Sequence, residues 1–334
     1  MEYRSLGRTG VQVSVPCLGT MTFGWHPEDW GSEEEPSLRI AQRALDLGIN
    51  FFDCADVYAR GVSETILGKA LKGKREAVVI ATKCHGKMDD ADPNSWGNTR
   101  RHVIEACEAS LKRLQTDWID LYQLHRPQPE VPIDETLRAL DDLIRQGKVR
   151  YIGTSTFAAW QLCEAHYVAK MLGTNGFICE QPPYNLLDRR IERELLPLCR
   201  SYDIAVIPWS PLAGGQLSGK YLEGKSEGGR YSTSDPFNRI TKQSSDAVRK
   251  LKRIADRQGM SLAKLSLAWV SGQPGITTPI IGARSEKQLE ESVEACQTKL
   301  SPRVLEQIDK AVAPASNILD YYSARFGPNA RPNV

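Results

Sequence analysis

Two patterns of apolar positions alternate along the whole chain. Short apolar runs bounded by turn residues occupy positions 15–19, 49–53, 77–83, 118–125, 149–153, 177–179, 204–209 and 278–282. Continuous runs of this kind fit strands buried on both faces, as in a parallel sheet. Between them the apolar residues recur with helical spacing. Leu38, Ala41, Ala44 and Leu45 form one stripe, entered by a capping box at Ser32 and Glu35 and closed at Gly48. Ser63 caps a second helix with Ile66, Leu67, Ala70 and Leu71 inward and Gly73 at its exit. Val103, Cys107, Leu111 and Leu114 mark a third, and Asp134 opens a fourth over Leu137, Leu140, Leu143 and Ile144 that stops at Gly147. Eight strand-then-helix units with no linker between them predict one α/β domain over residues 1–334, folded as a (β/α)8 TIM barrel. A doubly wound sheet is the rival, but no G-x-G-x-x-G follows any of the runs.

The chain has 334 residues, more than the roughly 250 of a typical barrel. The surplus falls in a β-hairpin over residues 1–16 that closes the barrel bottom, a C-terminal tail over 315–334, and three long segments at 86–97, 126–133 and 213–241. Long loops after barrel strands lie on the catalytic face and are expected to wall a pocket. The tail carries Tyr321, Tyr322 and Phe326, which suit either a cover over that pocket or an oligomer contact. Forty-three basic against 41 acidic residues leave a net charge of +2, which argues against a nucleic-acid partner bound through a basic surface. No window reaches the ~18 apolar residues of a membrane span. Met1–Ser5 has no apolar signal core, and the eight cysteines are widely spaced without a C-x-x-C. Reduced cysteines in a cytoplasmic protein are therefore expected. His26, His85, His102 and His166 lack metal-ligand spacing and read as surface or loop residues.

Chemistry collects at the ends of the predicted strands. Asp53 ends the second run, Lys83 the third and His125 the fourth, and Tyr58 follows Asp53 in the next loop. Ionisable residues at the C-terminal ends of successive barrel strands converge on one face. A tyrosine beside an ammonium group is expected to have its pKa pulled down. It can then give a proton to a carbonyl oxygen as charge develops there, with the histidine holding that oxygen. None of these side chains can donate a hydride, so a nicotinamide cofactor is implied.

The run Asp53-Cys54-Ala55-Asp56-Val57-Tyr58 followed by Ser63-Glu64 and Leu67-Gly68 resembles the first signature of the aldo-keto reductases. Ala81-Thr82-Lys83 and Asp120–His125 resemble the regions that carry the family's other catalytic residues. The resemblance implies a (β/α)8 barrel binding NADP(H), in preference to NAD(H), with Asp53, Tyr58, Lys83 and His125 as a catalytic tetrad. Carried over position by position, Gly19, Thr20 and Met21 lie near the cofactor. Ser155, Thr156 and Gln181 hold its carboxamide, Thr156 standing where Asn is usual. Trp209 stacks on the nicotinamide. Ser210, Pro211, Leu212, Ala213, Gly214 and Lys220 form the pyrophosphate loop, with Arg230 a further phosphate candidate. Gly282, Ala283, Arg284, Gln288, Glu291 and Ser292 make the adenosine end, where Arg284 supplies a cation for a 2′-phosphate and Ser292 replaces the common Asn. Trp25, Trp30, His85 and Trp96 are candidate walls of the substrate pocket.

The implied activity is hydride transfer between NADP(H) and an aldehyde, ketone or alcohol. Potassium-channel beta subunits resemble the same family, so a cofactor-sensing partner protein with little turnover is the alternative. A third possibility fails on one residue: Gly214–Tyr221 nearly reads as a P-loop, but Tyr221 cannot replace the Ser/Thr hydroxyl that binds Mg²⁺.

Overall fold

The computed structural model describes residues 1–24, 31–222, 224, 231, 235 and 238–321. Strands β1 (Glu2–Ser5) and β2 (Gln12–Val15) pair antiparallel as the expected hairpin. Eight further strands form one parallel sheet: β3 (Cys17–Gly19), β4 (Phe51–Asp53), β5 (Val79–Cys84), β6 (Ile119–Leu124), β7 (Val149–Ser155), β8 (Cys179–Gln181), β9 (Ala205–Val206) and β10 (Ile280–Ile281). They are hydrogen-bonded in the order β10-β3-β4-β5-β6-β7-β8-β9. The ends of that row meet, because Thr277 N donates to Val206 O at 2.8 Å and Ile280 N donates to Pro208 O at 2.9 Å. The fold is a (β/α)8 barrel.

Helices α1 (Glu34–Asp46), α2 (Val62–Ala70), α3 (Arg100–Leu114), α4 (Ile133–Arg145), α5 (Ala159–Leu172) and α6 (Leu195–Ser201) follow β3 to β8 in turn. The long segment after β9 leads into α7 (Lys242–Arg257) and α8 (Leu262–Ser271), and α9 (Glu286–Gln297) and α10 (Pro302–Ala311) follow β10. None of the helices among the described residues is long and apolar enough to cross a membrane. All eight cysteines are free thiols.

Each strand splits its side chains between two cores with a period of two. Phe51, Val79, Ala81, Leu121, Cys179 and Ile207 point inside the barrel, where Leu6 and Val13 of the hairpin plug the bottom. Phe52, Ile80, Tyr122, Leu124, Ile152 and Val206 point outward under the helices. Gly7 makes the plug possible. Its φ is +57°, and a Cβ there would stand 2.7 Å from Asp203 O.

Several local expectations are corrected. The run 15–19 is two elements, because Pro16 has no N–H and separates β2 from β3. Ser32 does not cap α1. The helix starts after Glu33 without a side-chain cap, and Ser32 instead ties the chain at Thr22 and Gly24 through its own N–H and C=O. Ser63 lies inside α2 and donates to Thr20 O at 2.6 Å, joining α2 to the end of β3 rather than capping it. His102 is buried at 4% exposure on α3, not a surface residue.

Candidate active site

Inward positions turn from apolar to polar at the C-terminal ends of the strands: Phe51 is followed by Asp53, Ala81 by Lys83, Leu121 by Gln123 and His125, and Cys179 by Gln181. Lys83 and Asp53 are buried, at 0% and 2% side-chain exposure. The Lys83 ammonium donates to Asp53 Oδ2 at 2.7 Å, to Cys54 O at 2.6 Å and to Tyr58 Oη at 3.2 Å. Tyr58 and His125 are only partly buried, with their rings edge-on and their centroids 5.8 Å apart. The four residues expected to act together are therefore one cluster.

The electrostatics differ from expectation in one respect. Burial raises the Tyr58 phenol above its ordinary value, Lys83 pulls it back, Asp53 adds to the rise, and the net direction is up rather than down. Burial opposes the Lys83 charge, but Asp53 and Tyr58 together hold the ammonium above its usual range. His125 is driven well below the ordinary imidazole value by burial and by Arg126 and Lys83, so it is neutral at pH 7.

A polar layer lies beneath this cluster, joining Gln181, expected at the carboxamide, to Gln123, which the sequence reading missed. Gln181 Nε2 donates to Asp53 Oδ1 at 2.8 Å, and Gln123 Nε2 reaches the same oxygen at 3.3 Å. Gln123 could have been found from the two-residue alternation that links Leu121 to His125. Asp56 and Glu64 of the motif lie on the outer side. Glu64 is buried and accepts from the Thr82 hydroxyl and from Arg113 Nε at 2.6 Å, which fastens α2 to the strand carrying Lys83. Asp56 N donates to Lys83 O at 3.1 Å. Its Oδ2 is buried without a hydrogen-bond partner among the described residues. Burial, reinforced by Glu64, pushes its carboxyl up to about 8.

The described residues expected to hold a cofactor lie at or after the C-terminal ends of β3, β7, β8, β9 and β10. Thr20 is buried and gives both its N–H and its hydroxyl to Asp53 O. Ser155 Oγ donates to Gln181 O at 2.9 Å, and Thr156 N donates to the same carbonyl. Trp209 meets Tyr321 edge-on at 5.1 Å, which places the start of the tail against the pocket. Its indole N–H is buried without a partner among the described residues. After Ser210 the chain makes a tight turn. Gly214 has φ +65°, and a Cβ there would meet the Tyr231 hydroxyl at 2.4 Å. Thr22 Oγ1 donates to Ala283 O at 2.9 Å, joining the ends of β3 and β10. Gln288 Oε1 accepts from Arg284 N, and Ser292 Oγ donates to Gln288 O. Glu291 sits exposed beside Lys287. His85 and Trp96 stand edge-on at 6.0 Å in the loop after β5. Trp25, Trp30 and Arg230, with Tyr322 and Phe326 of the tail, lie outside the described residues.

The donor set suits an anionic dinucleotide. Desolvation and the nearby Arg284 guanidinium both lower the Lys220 ammonium, and among the described residues no carboxylate pairs with either cation. Two unneutralised cations at the ends of β9 and β10 are a fit for phosphate groups. Non-glycine residues with positive φ gather at this mouth: Ala59, Arg60, His85, Thr156, Ser210 and Ala213. Backbone strain of this kind clusters at functional sites.

A profile of the Aldo/keto reductase family matches residues 17–313. The chain belongs to this family. Among its relatives, "Uncharacterized oxidoreductase YrpG" of Bacillus subtilis is 39% identical over 321 residues, covering 92% of this chain and 95% of the relative. "Versiconal hemiacetal acetate reductase" of Aspergillus parasiticus is 36% identical over 340 residues, covering 94% and 98%. "Probable voltage-gated potassium channel subunit beta" of Arabidopsis thaliana is 38% identical over 324 residues, covering 93% and 97%. Membership and these relatives support an oxidoreductase, in a family that generally works with nicotinamide cofactors.

Proposed function

We propose that this aldo-keto reductase moves a hydride between NADP(H) and an aldehyde or ketone, or the corresponding alcohol. The observation that carries the proposal is the buried Lys83 ammonium, held by Asp53 and donating to the Tyr58 oxygen at the open end of the barrel. The bound cofactor supplies or takes up the hydride. Tyr58 keeps its proton at neutral pH and gives it to the carbonyl oxygen. Lys83, fixed in its charged form, stabilises the phenolate left behind. His125, neutral, can donate one N–H to the same oxygen and orient it. Ser155, Thr156, Gln181 and Trp209 are the proposed seat of the nicotinamide. Lys220 and the turn from Ser210 to Gly214 take the pyrophosphate, and the segment from Gly282 to Ser292 takes the adenosine end.

The preference for NADP(H) rests on Arg284, whose guanidinium lies near Lys220 without a carboxylate partner among the described residues. Arg284→Ala is expected to weaken NADPH binding by about 10-fold or more while changing NADH binding little, since a hydrogen bond to a charged group contributes about 1.5–3 kcal/mol. Fluorescence titration with both cofactors reads this, and equal losses overturn the 2′-phosphate assignment.

The proposed activity is tested by following NADPH absorbance against a carbonyl panel. Tyr58→Phe should lower kcat by about 10²–10⁴, the usual value of a general acid, with NADPH affinity kept. Wild-type-like turnover by that variant overturns the assignment. The name of the Arabidopsis relative supports a second reading, a cofactor-binding partner subunit. Tight NADPH binding with no turnover on any carbonyl would favour that one.

A further inference from the structure

Arg126 directly follows His125 and is absorbed by none of the roles above. Its Nη1 donates to His125 O at 2.9 Å and to Thr156 Oγ1 at 2.8 Å, so the guanidinium bridges the mouths of β6 and β7. Its central carbon lies 5.8 Å from the centre of the Trp209 ring. Asn98 Nδ2 donates to Arg126 O at 2.9 Å and fixes the backbone on the other side. Lys83 and Arg126 are cations of different kinds. Lys83 is fully buried and paired with Asp53, whereas Arg126 is partly exposed at the level of Tyr58, His125 and Trp209.

We propose that Arg126 forms an anion subsite beside the reacting carbonyl and selects substrates in which a carboxylate lies a few bonds from that carbonyl, such as short oxo acids and carboxy-substituted aromatic aldehydes. The proposal rests on the carbonyl-reduction reading above. A guanidinium presents a planar fork that matches a carboxylate, and it keeps its charge where an amine would not. Burial lowers Arg126 to about 10 with Tyr58 and Glu180 opposing and Arg239 assisting, so it remains a cation at neutral pH. The nearby Glu180 is raised by burial to about 8, and its oxygens accept from the Thr154 hydroxyl and the Phe157 N–H. It is therefore mostly a neutral acid at pH 7. Charge on the substrate and charge on the protein would then meet next to the atoms that react, where Trp209 and Tyr58 limit water and strengthen the attraction.

The test compares 2-carboxybenzaldehyde with benzaldehyde at saturating NADPH. The ratio of their kcat/KM values should favour the carboxylate in the wild type. It should fall by about 10- to 100-fold in Arg126→Met, the loss expected of one charge-assisted hydrogen bond, and only partly in Arg126→Lys, which guards against a folding defect. Benzoate binding to the NADP⁺-loaded protein, read by calorimetry, should survive Tyr58→Phe and vanish in Arg126→Met. An unchanged ratio, or a loss confined to NADPH affinity, overturns the subsite. Absence of turnover on every carbonyl defeats the reduction reading instead. In that case the benzoate arm decides the subsite alone, a loss in Arg126→Met upholding it and equal binding in both proteins overturning it.

Discussion

Burial drives the two partly buried members of the cluster in opposite directions, Tyr58 up and His125 down, and both directions favour the neutral form at pH 7. This fixes the shape of the pH profile for carbonyl reduction. On the alkaline side the acid form of Tyr58 disappears only above the ordinary phenol range, because its pKa is raised. On the acid side His125 gains a proton only below the ordinary imidazole range, because its pKa is lowered. kcat/KM should therefore be flat from about pH 6 to about pH 9. A limb centred at the ordinary imidazole value of about 6.5 would show that His125 titrates freely. Lys83→Met removes the cation that pulls the phenol down most, so any alkaline limb should move further up and the rate should fall. A downward move would mean that Lys83 is not what holds Tyr58.

At the scale of elements, the unit from β4 through α3 stores a cost that pH can reveal. Asp56 is pushed up to about 8 by burial and by Glu64, so the folded state holds a proton there that the unfolded chain releases near pH 4. A group whose folded pKa is raised contributes its stability below the unfolded pKa and loses it as pH climbs through the folded one. Asp56→Asn keeps the side-chain oxygen that accepts from Val57 N but cannot ionise. It should raise Tm relative to wild type by about 1–2 °C at pH 9, equivalent to roughly 1 kcal/mol for a chain of this length, and by less at pH 5. Calorimetry at the two pH values checks it, and an equal shift at both would place the effect in packing. The barrel strands were readable because burial on both faces leaves an unbroken apolar run. The same argument explains what was not readable. A serine before a helical stripe signals a cap only if its hydroxyl serves that helix, and the Ser63 hydroxyl instead donates to Thr20 O and Thr20 Oγ1 at the end of the neighbouring strand β3. The cluster of Asp53, Tyr58, Lys83 and His125 was legible from strand-end positions. The part Gln123 plays was not, because the two-residue alternation from Leu121 places it inward but its purpose shows only when Asp53 is seen opposite. Nor was the sign of the Tyr58 shift, since the effect of burial on a side chain cannot be weighed before the fold surrounds it.

For the whole molecule, the near-zero net charge conceals a local arrangement: Lys220 and Arg284 without a carboxylate partner among the described residues, and an apolar plug at the base. The plug is continuous with the barrel interior. Leu6 and Val13 pack with Phe51, Leu121, Ala205 and Ile280. The hairpin is also strapped to the last barrel segment, where Arg4 Nη1 donates to Ser271 O at 3.0 Å and to Ile276 O at 2.9 Å. A cavity at Leu6 should therefore cost stability without altering chemistry. Leu6→Ala is expected to lower unfolding free energy by about 2–5 kcal/mol, read from urea midpoints at constant slope. Turnover per folded molecule should stay within about twofold, because the mouth is held by hydrogen bonds among strand ends that the hairpin does not supply. If turnover falls while the midpoint holds, the base of the barrel sets the spacing of the strand ends, and Asp53 and Lys83 owe their 2.7 Å contact to packing at the opposite end of the molecule.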